Sequence, residues 1–140
     1  MSIPAIAAMK QRAKLRADKR RAKAKRLKLR QSATALKTRA DRLFSLAVRS
    51  VGHCQSGRPE HKGPLQCAHG FSRRYLATRW DRRNAWALCA GCHVYYTHRP
   101  LEWDEWMRYR MGFAYPEVRA LALGGKADIR GVLEGLEKAA

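Results

Sequence analysis

Two cysteines three residues apart, Cys89 and Cys92, carry the most specific chemistry in the sequence. Thiolates at that spacing can grip one tetrahedral zinc ion from a tight turn, and such a site needs two further donors. The remaining thiols are Cys54 and Cys67, so the expected structural set is Cys54, Cys67, Cys89 and Cys92. Cys54 stands alone, because Gly57 occupies the place where a second C-x-x-C would put its partner. Cys67 carries a geometric difficulty: on a strand it shares a face with His69, about 7 Å away. His53 and His61 are therefore alternative fourth ligands. Nearby lie His69, Asn84 and His93, together with Arg73, Arg74, Arg79, Arg82 and Arg83, a group that has only Asp81 as counter-charge within its own segment. Guanidinium groups at that density suit phosphates, which they position without reading sequence.

The elements that must hold these residues are short. Leu65, Cys67, His69 and Phe71 alternate with Gln66, Ala68 and Gly70, which predicts a strand, and Asn84 to Leu88 predicts a second. The arginine-rich segment between them makes an irregular hairpin, and Cys89 to Tyr96 then turns into a helix. Upstream, Ala40, Leu43, Phe44, Ala47, Val48 and Val51 follow amphipathic helical spacing, Gly52 ends that helix, and residues 55–64 read as a loop. Downstream, Trp103, Trp106 and Met107 mark a helix stopped by Gly112, Pro116 opens another that runs through Leu123, and Ile129, Val132, Leu133 and Leu136 mark a last one. Trp80 and Trp86 are expected in the core and Trp103 and Trp106 in helix packing. The predicted fold class is α+β and mostly helical: a small strand-strand-helix core with a zinc knuckle, flanked by helices and a basic N-terminal helical arm. The arm takes residues 1–38 and the domain residues 39–140.

Charge points to the partner. The chain has 30 Lys and Arg against 11 Asp and Glu, a net charge of +19, which a nucleic acid would neutralise. Residues 1–50 hold 16 of the basic residues against Asp18 and Asp41. Within the arm, Lys19, Arg20, Arg21, Lys23, Lys25 and Arg26 are the expected DNA contacts. Like charges recur four apart, as in Arg12, Arg16 and Arg20, so residues 1–32 are expected to be frayed until phosphates neutralise them. The apolar stretch Ile3 to Met9 is short and precedes the charges, the reverse of a secretory signal, and no run suits a membrane span. A cytoplasmic protein with reduced thiols is expected, with no membrane partner.

The stretch Leu65-Gln66-Cys67-Ala68-His69-Gly70-Phe71-Ser72-Arg73, with Thr78-Arg79-Trp80, Asn84 and Leu88-Cys89-Ala90-Gly91-Cys92-His93, resembles the ββα-metal HNH endonucleases, and within them the phage recombination nucleases of the NinG/Rap type. The resemblance covers about residues 52–112. It implies a metal-dependent DNA endonuclease, phage-encoded and working in a bacterial host cell, that acts on duplex or branched DNA, singly or as a homodimer. It further implies that His69 is the general base, that Asn84 ties down the hairpin loop and orients His69, and that His93 binds a catalytic magnesium or manganese ion. On that view His69 faces a different centre from the zinc.

One position departs from the family pattern. Many such sites place an aspartate before the base histidine as a second ligand to the catalytic ion, and here Ala68 stands there. Substrate phosphate and water can complete the ion's shell, or His98 or, less aptly, Asp81 can contribute. The competing readings are a catalytically inactive, zinc-stabilised nucleic-acid-binding protein and an RNA-binding or ribosome-associated factor.

Overall fold

The computed structural model describes residues 3–140, with side chains throughout except at residues 3–7 and 29–31. The helices are α1 (Ile3–Arg49), α2 (Ala90–Thr97), α3 (Pro100–Met111), α4 (Tyr115–Gly124) and α5 (Ile129–Lys138). The strands are β1 (Leu65–His69) and β2 (Ala85–Cys89), with single 3-10 turns at Arg82–Asn84 and Gly112–Ala114. The protein is therefore mostly helical around one two-stranded sheet. No described helix is long and apolar enough to cross a membrane. The chain divides into two compact units, Met1–Lys37 and Thr38–Ala140.

In the first unit α1 is already formed at Ile3, and its described side chains from Ala8 to Lys28 are exposed, Lys19, Arg20, Arg21, Lys23, Lys25 and Arg26 among them. α1 thus runs through the described part of the segment expected to fray until phosphates neutralise it, and residues 1 and 2 of that segment lie outside the described residues. Alanine, leucine, lysine and arginine all have high helix propensity. Each exposed like-charge pair opposes the helix by only about 0.2–0.5 kcal/mol, too little to unwind it.

In the second unit the end of α1 buries Ala40, Phe44 and Val48, four apart on one face. Arg39 pairs with Glu137 of α5 at 2.8 Å. β1 and β2 are antiparallel, with Leu65 opposite Cys89, Ala68 opposite Trp86 and His69 opposite Ala85. Every residue of β2 is buried, whereas β1 alternates. Ala68 is fully buried in the core with Trp86, Leu88, Tyr96, Met107, Met111 and Val118. His69 points the other way, its ring 5.9 Å from that of Phe44.

An aromatic cluster joins the hairpin to α2 and α3. The rings of Trp86 and Trp106 meet edge-on at 5.0 Å, and Trp103 stacks on Trp106 at 5.1 Å. The Trp106 indole donates to the Ser56 carbonyl (2.9 Å), so α3 also pins the loop that follows Cys54. That loop lies along the sheet: Gln55 N–H donates to the Ala87 carbonyl, and Ala87 N–H donates back to Gln55 Oε1.

Candidate functional site

The register sends the two kinds of chemistry to opposite ends of the hairpin. At the far end, Cys54, His61, Cys89 and Cys92 bring one ligand atom each to within 4.8 Å of one another. His61 Nδ1 is 3.9 Å from Cys89 Sγ and 3.7 Å from Cys92 Sγ. Tetrahedral zinc with bonds of about 2.3 Å to sulfur and 2.0 Å to nitrogen requires sulfur–nitrogen separations near 3.5 Å. The donor set and its spacing fit that ion. Burial pushes the Cys89 thiol up, but backbone hydrogen bonds at Cys92 and Lys62 and the adjacent Cys92 and Cys54 outweigh it, bringing the thiol down to about 7.

The His61 loop reaches the knuckle through backbone pairing. Gly91 N–H donates to the Lys62 carbonyl and Ala90 N–H to the Pro64 carbonyl. A side chain at Gly91 would press within 3.2 Å of Lys62 Cβ, so glycine between the two cysteines lets the loop close over them. Cys67 lies outside this cluster, a correction to the expected zinc set. On β1 it faces α1 with Leu65 and His69, and burial raises its thiol to about 11. His53 is also outside, exposed with Nδ1 against the Val51 carbonyl.

At the near end, His69 Nε2 lies 2.9 Å from the Arg79 carbonyl. A carbonyl only accepts, so Nε2 carries the hydrogen and the lone pair of the neutral ring is on Nδ1. Burial, the largest influence, holds this imidazole below its ordinary value of 6.5, against the opposing hydrogen bond to Arg79.

Asn84 fixes the loop that supplies that carbonyl. It is fully buried; its Oδ1 accepts from Phe71 N–H at 2.7 Å, and its Nδ2 donates to the carbonyls of Thr78 (2.9 Å) and Phe71 (3.2 Å). Both arms of the loop thus converge on one amide. Gly70 permits the approach, since a Cβ there would meet Met107 Sδ at 2.6 Å and Asn84 Oδ1 at 3.0 Å. Asn84 belongs to the turn just before β2 rather than to the strand.

His93 comes from the first turn of α2, directly after the knuckle. Its Nδ1 donates to Gln66 Oε1 at 2.6 Å, which leaves the Nε2 lone pair free. His69 and His93 line one cleft of about 140 Å³ together with Tyr96, Thr97 and Trp103. No family model, curated protein or solved structure matches this chain. What the residues can do therefore rests on the arrangement itself.

The arginines of the loop are not equivalent. Asp41, on α1, takes Arg79 through Nε at 2.8 Å, Arg73 at 2.7 Å and the Trp80 indole at 2.9 Å. Burial raises the Asp41 carboxyl, but Arg79 and Arg73 outweigh it and hold it below the ordinary carboxylate range. Arg83 pairs with Asp81 (2.8 Å) and Glu117 (2.9 Å). The expectation that Asp81 alone balances this group is thus corrected: Arg79 and Arg83 brace the fold, whereas Arg74 and Arg82 have no carboxylate partner among the described residues. His98 caps the C-terminal end of α2 and does not line the His69–His93 cleft, nor does Asp81, which caps the turn at Arg82.

Gln66 is the functional neighbour that sequence reasoning missed. Its signal was an exposed polar residue on the strand face toward α2, but its partner lies 27 positions away.

Proposed function

We propose that the protein is a metal-dependent endonuclease of the HNH kind that hydrolyses DNA phosphodiester bonds. The observation that carries this reading is the shared cleft in which His69 and His93 each spend one ring nitrogen on an orienting hydrogen bond and keep the other free. His69, held neutral by burial, takes a proton from water on Nδ1 as the water oxygen bonds to phosphorus and one P–O ester bond breaks. His93 Nε2 would hold a magnesium or manganese ion, which when bound supplies positive charge at the phosphate and the leaving oxygen. Cys54, His61, Cys89 and Cys92 would hold a structural zinc that fixes the start of α2 and hence His93. The basic residues of α1 supply charge for a duplex.

A second reading, a zinc-stabilised DNA-binding protein without activity, is favoured by one observation. Ala68 is buried in the core, and the described lining of the cleft contains no carboxylate.

Cleavage of plasmid and of four-way junction DNA separates the two. Purified full-length protein is incubated with magnesium, with manganese, or with neither; the divalent ion is omitted rather than chelated, so that zinc is retained. Cutting by wild type with a divalent ion, lost in His69→Ala, is expected. Inertness of both proteins with DNA binding intact would replace the enzyme by the binding protein.

A further inference from the structure

We infer that the groove between α1 and β1 seats the DNA backbone beside the cut, with Arg42 and Arg49 as its phosphate contacts. This deepens the nuclease reading and rests on it. The groove has a volume of about 410 Å³ and is formed by Arg42 and Arg49 on the α1 wall, by Gln66, Cys67 and His69 on β1, and by Arg73 from the following loop. His69 also lines the cleft that holds His93, so a strand lying in the groove leads to the proposed base.

The charges of the groove are sorted. Asp41 is the one carboxylate in its described lining, and it is already engaged by Arg73, Arg79 and Trp80. Arg42 and Arg49 have no carboxylate partner among the described residues. Arg49 is half-buried, its Nε held by the carbonyl (3.2 Å) and the hydroxyl (3.3 Å) of Ser45, which leaves its terminal nitrogens to a ligand. A half-buried guanidinium without a carboxylate partner is available to an incoming phosphate. Cys67, uncharged at neutral pH because burial raises it, adds no competing anion.

Spacing supports an extended polyanion over a single small one. Arg42 and Arg49 are seven residues apart and so nearly on one helical face, about 10.5 Å apart along the axis. A separation of that size exceeds a single phosphate, so the two guanidinium groups suit two different phosphates of one strand.

The test is the salt dependence of binding to a short duplex between about 50 and 200 mM salt. It uses full-length protein in the His69→Ala background, so that the DNA stays intact. Each lost phosphate contact lowers the slope of log K against log salt by about 0.9. Arg42→Gln with Arg49→Gln should therefore reduce the slope by about 2, while Arg119→Gln with Arg130→Gln, exposed changes on α4 and α5, should not. If the double variant fails to fold, Arg42→Gln alone, at an exposed position, should remove about one unit of slope. An unchanged slope, or an equal fall in the control pair, overturns the inference. An inert wild type whose slope still depends on Arg42 and Arg49 rejects the nuclease reading alone; an active wild type with an unchanged slope rejects the groove alone.

Discussion

Replacing Asn84 by alanine removes three hydrogen bonds from a fully buried position, and the partners differ in what they lose. Phe71 N–H, part-buried, has Asn84 Oδ1 as its described acceptor, so it becomes a donor without that partner, costing about 1–3 kcal/mol to the extent that water is kept out. The Thr78 carbonyl keeps Asp81 N–H at 3.2 Å and loses only an ordinary net contribution, as does the Phe71 carbonyl, about 0.5–1.5 kcal/mol each. The total is about 2–6 kcal/mol, centred near 4 kcal/mol. For a unit of about a hundred residues this lowers Tm by roughly 15–30 °C. Urea unfolding of wild type and Asn84→Ala, zinc-loaded, measures it. The loop also carries the Arg79 carbonyl, whose hydrogen bond opposes the lowering by burial, so the His69 ring should lose its anchor and titrate still further below 6.5, which NMR of the ring protons reports. A variant within 0.5 kcal/mol of wild type, with an unmoved His69, would refute the view that one amide holds the loop.

Other outcomes follow from the same geometry. His61→Ala should weaken zinc binding about 100- to 1,000-fold, one ligand's share of a site worth about 10–16 kcal/mol, whereas Cys67→Ser should leave zinc content unchanged; metal analysis of the two purified variants distinguishes them. Gln66→Leu, at an exposed position, should lower cleavage about 10- to 100-fold with unfolding unaffected, because His93 loses its orienting acceptor; equal rates would remove Gln66 from the site. The acid limb of kcat/KM should fall below pH 6.5, since burial outweighs the Arg79 hydrogen bond and the Asp41 charge, and nearby Arg73 and Arg79 act in the same direction as burial. The same shift contributes stability that is complete above pH 6.5 and lost as pH falls through the folded value. A limb at or above 6.5 contradicts the neutral, buried base.

What could be read from the sequence was local. Ala40, Phe44 and Val48 announce a buried helical face by spacing alone, and Cys89 and Cys92 announce a knuckle. The two strands and the order of helices follow from alternation and from glycine and proline stops. The pairings across long sequence separation were not legible. Cys54 is joined by His61 rather than by Cys67 because loop backbone pairs with the knuckle at Gly91, a contact no periodicity records. Arg79 reads as a free cation in its own segment, yet its carboxylate lies 38 positions upstream on another element.

The hairpin register carries a last consequence. Because side chains alternate, a slip of one residue would turn His69 into the core position of Ala68 and bring Ala68 out to the groove. A misfolded hairpin would therefore lose its packing and the proposed base together. On the nuclease proposal, molecules that pair wrongly would be silent rather than cutting with altered aim.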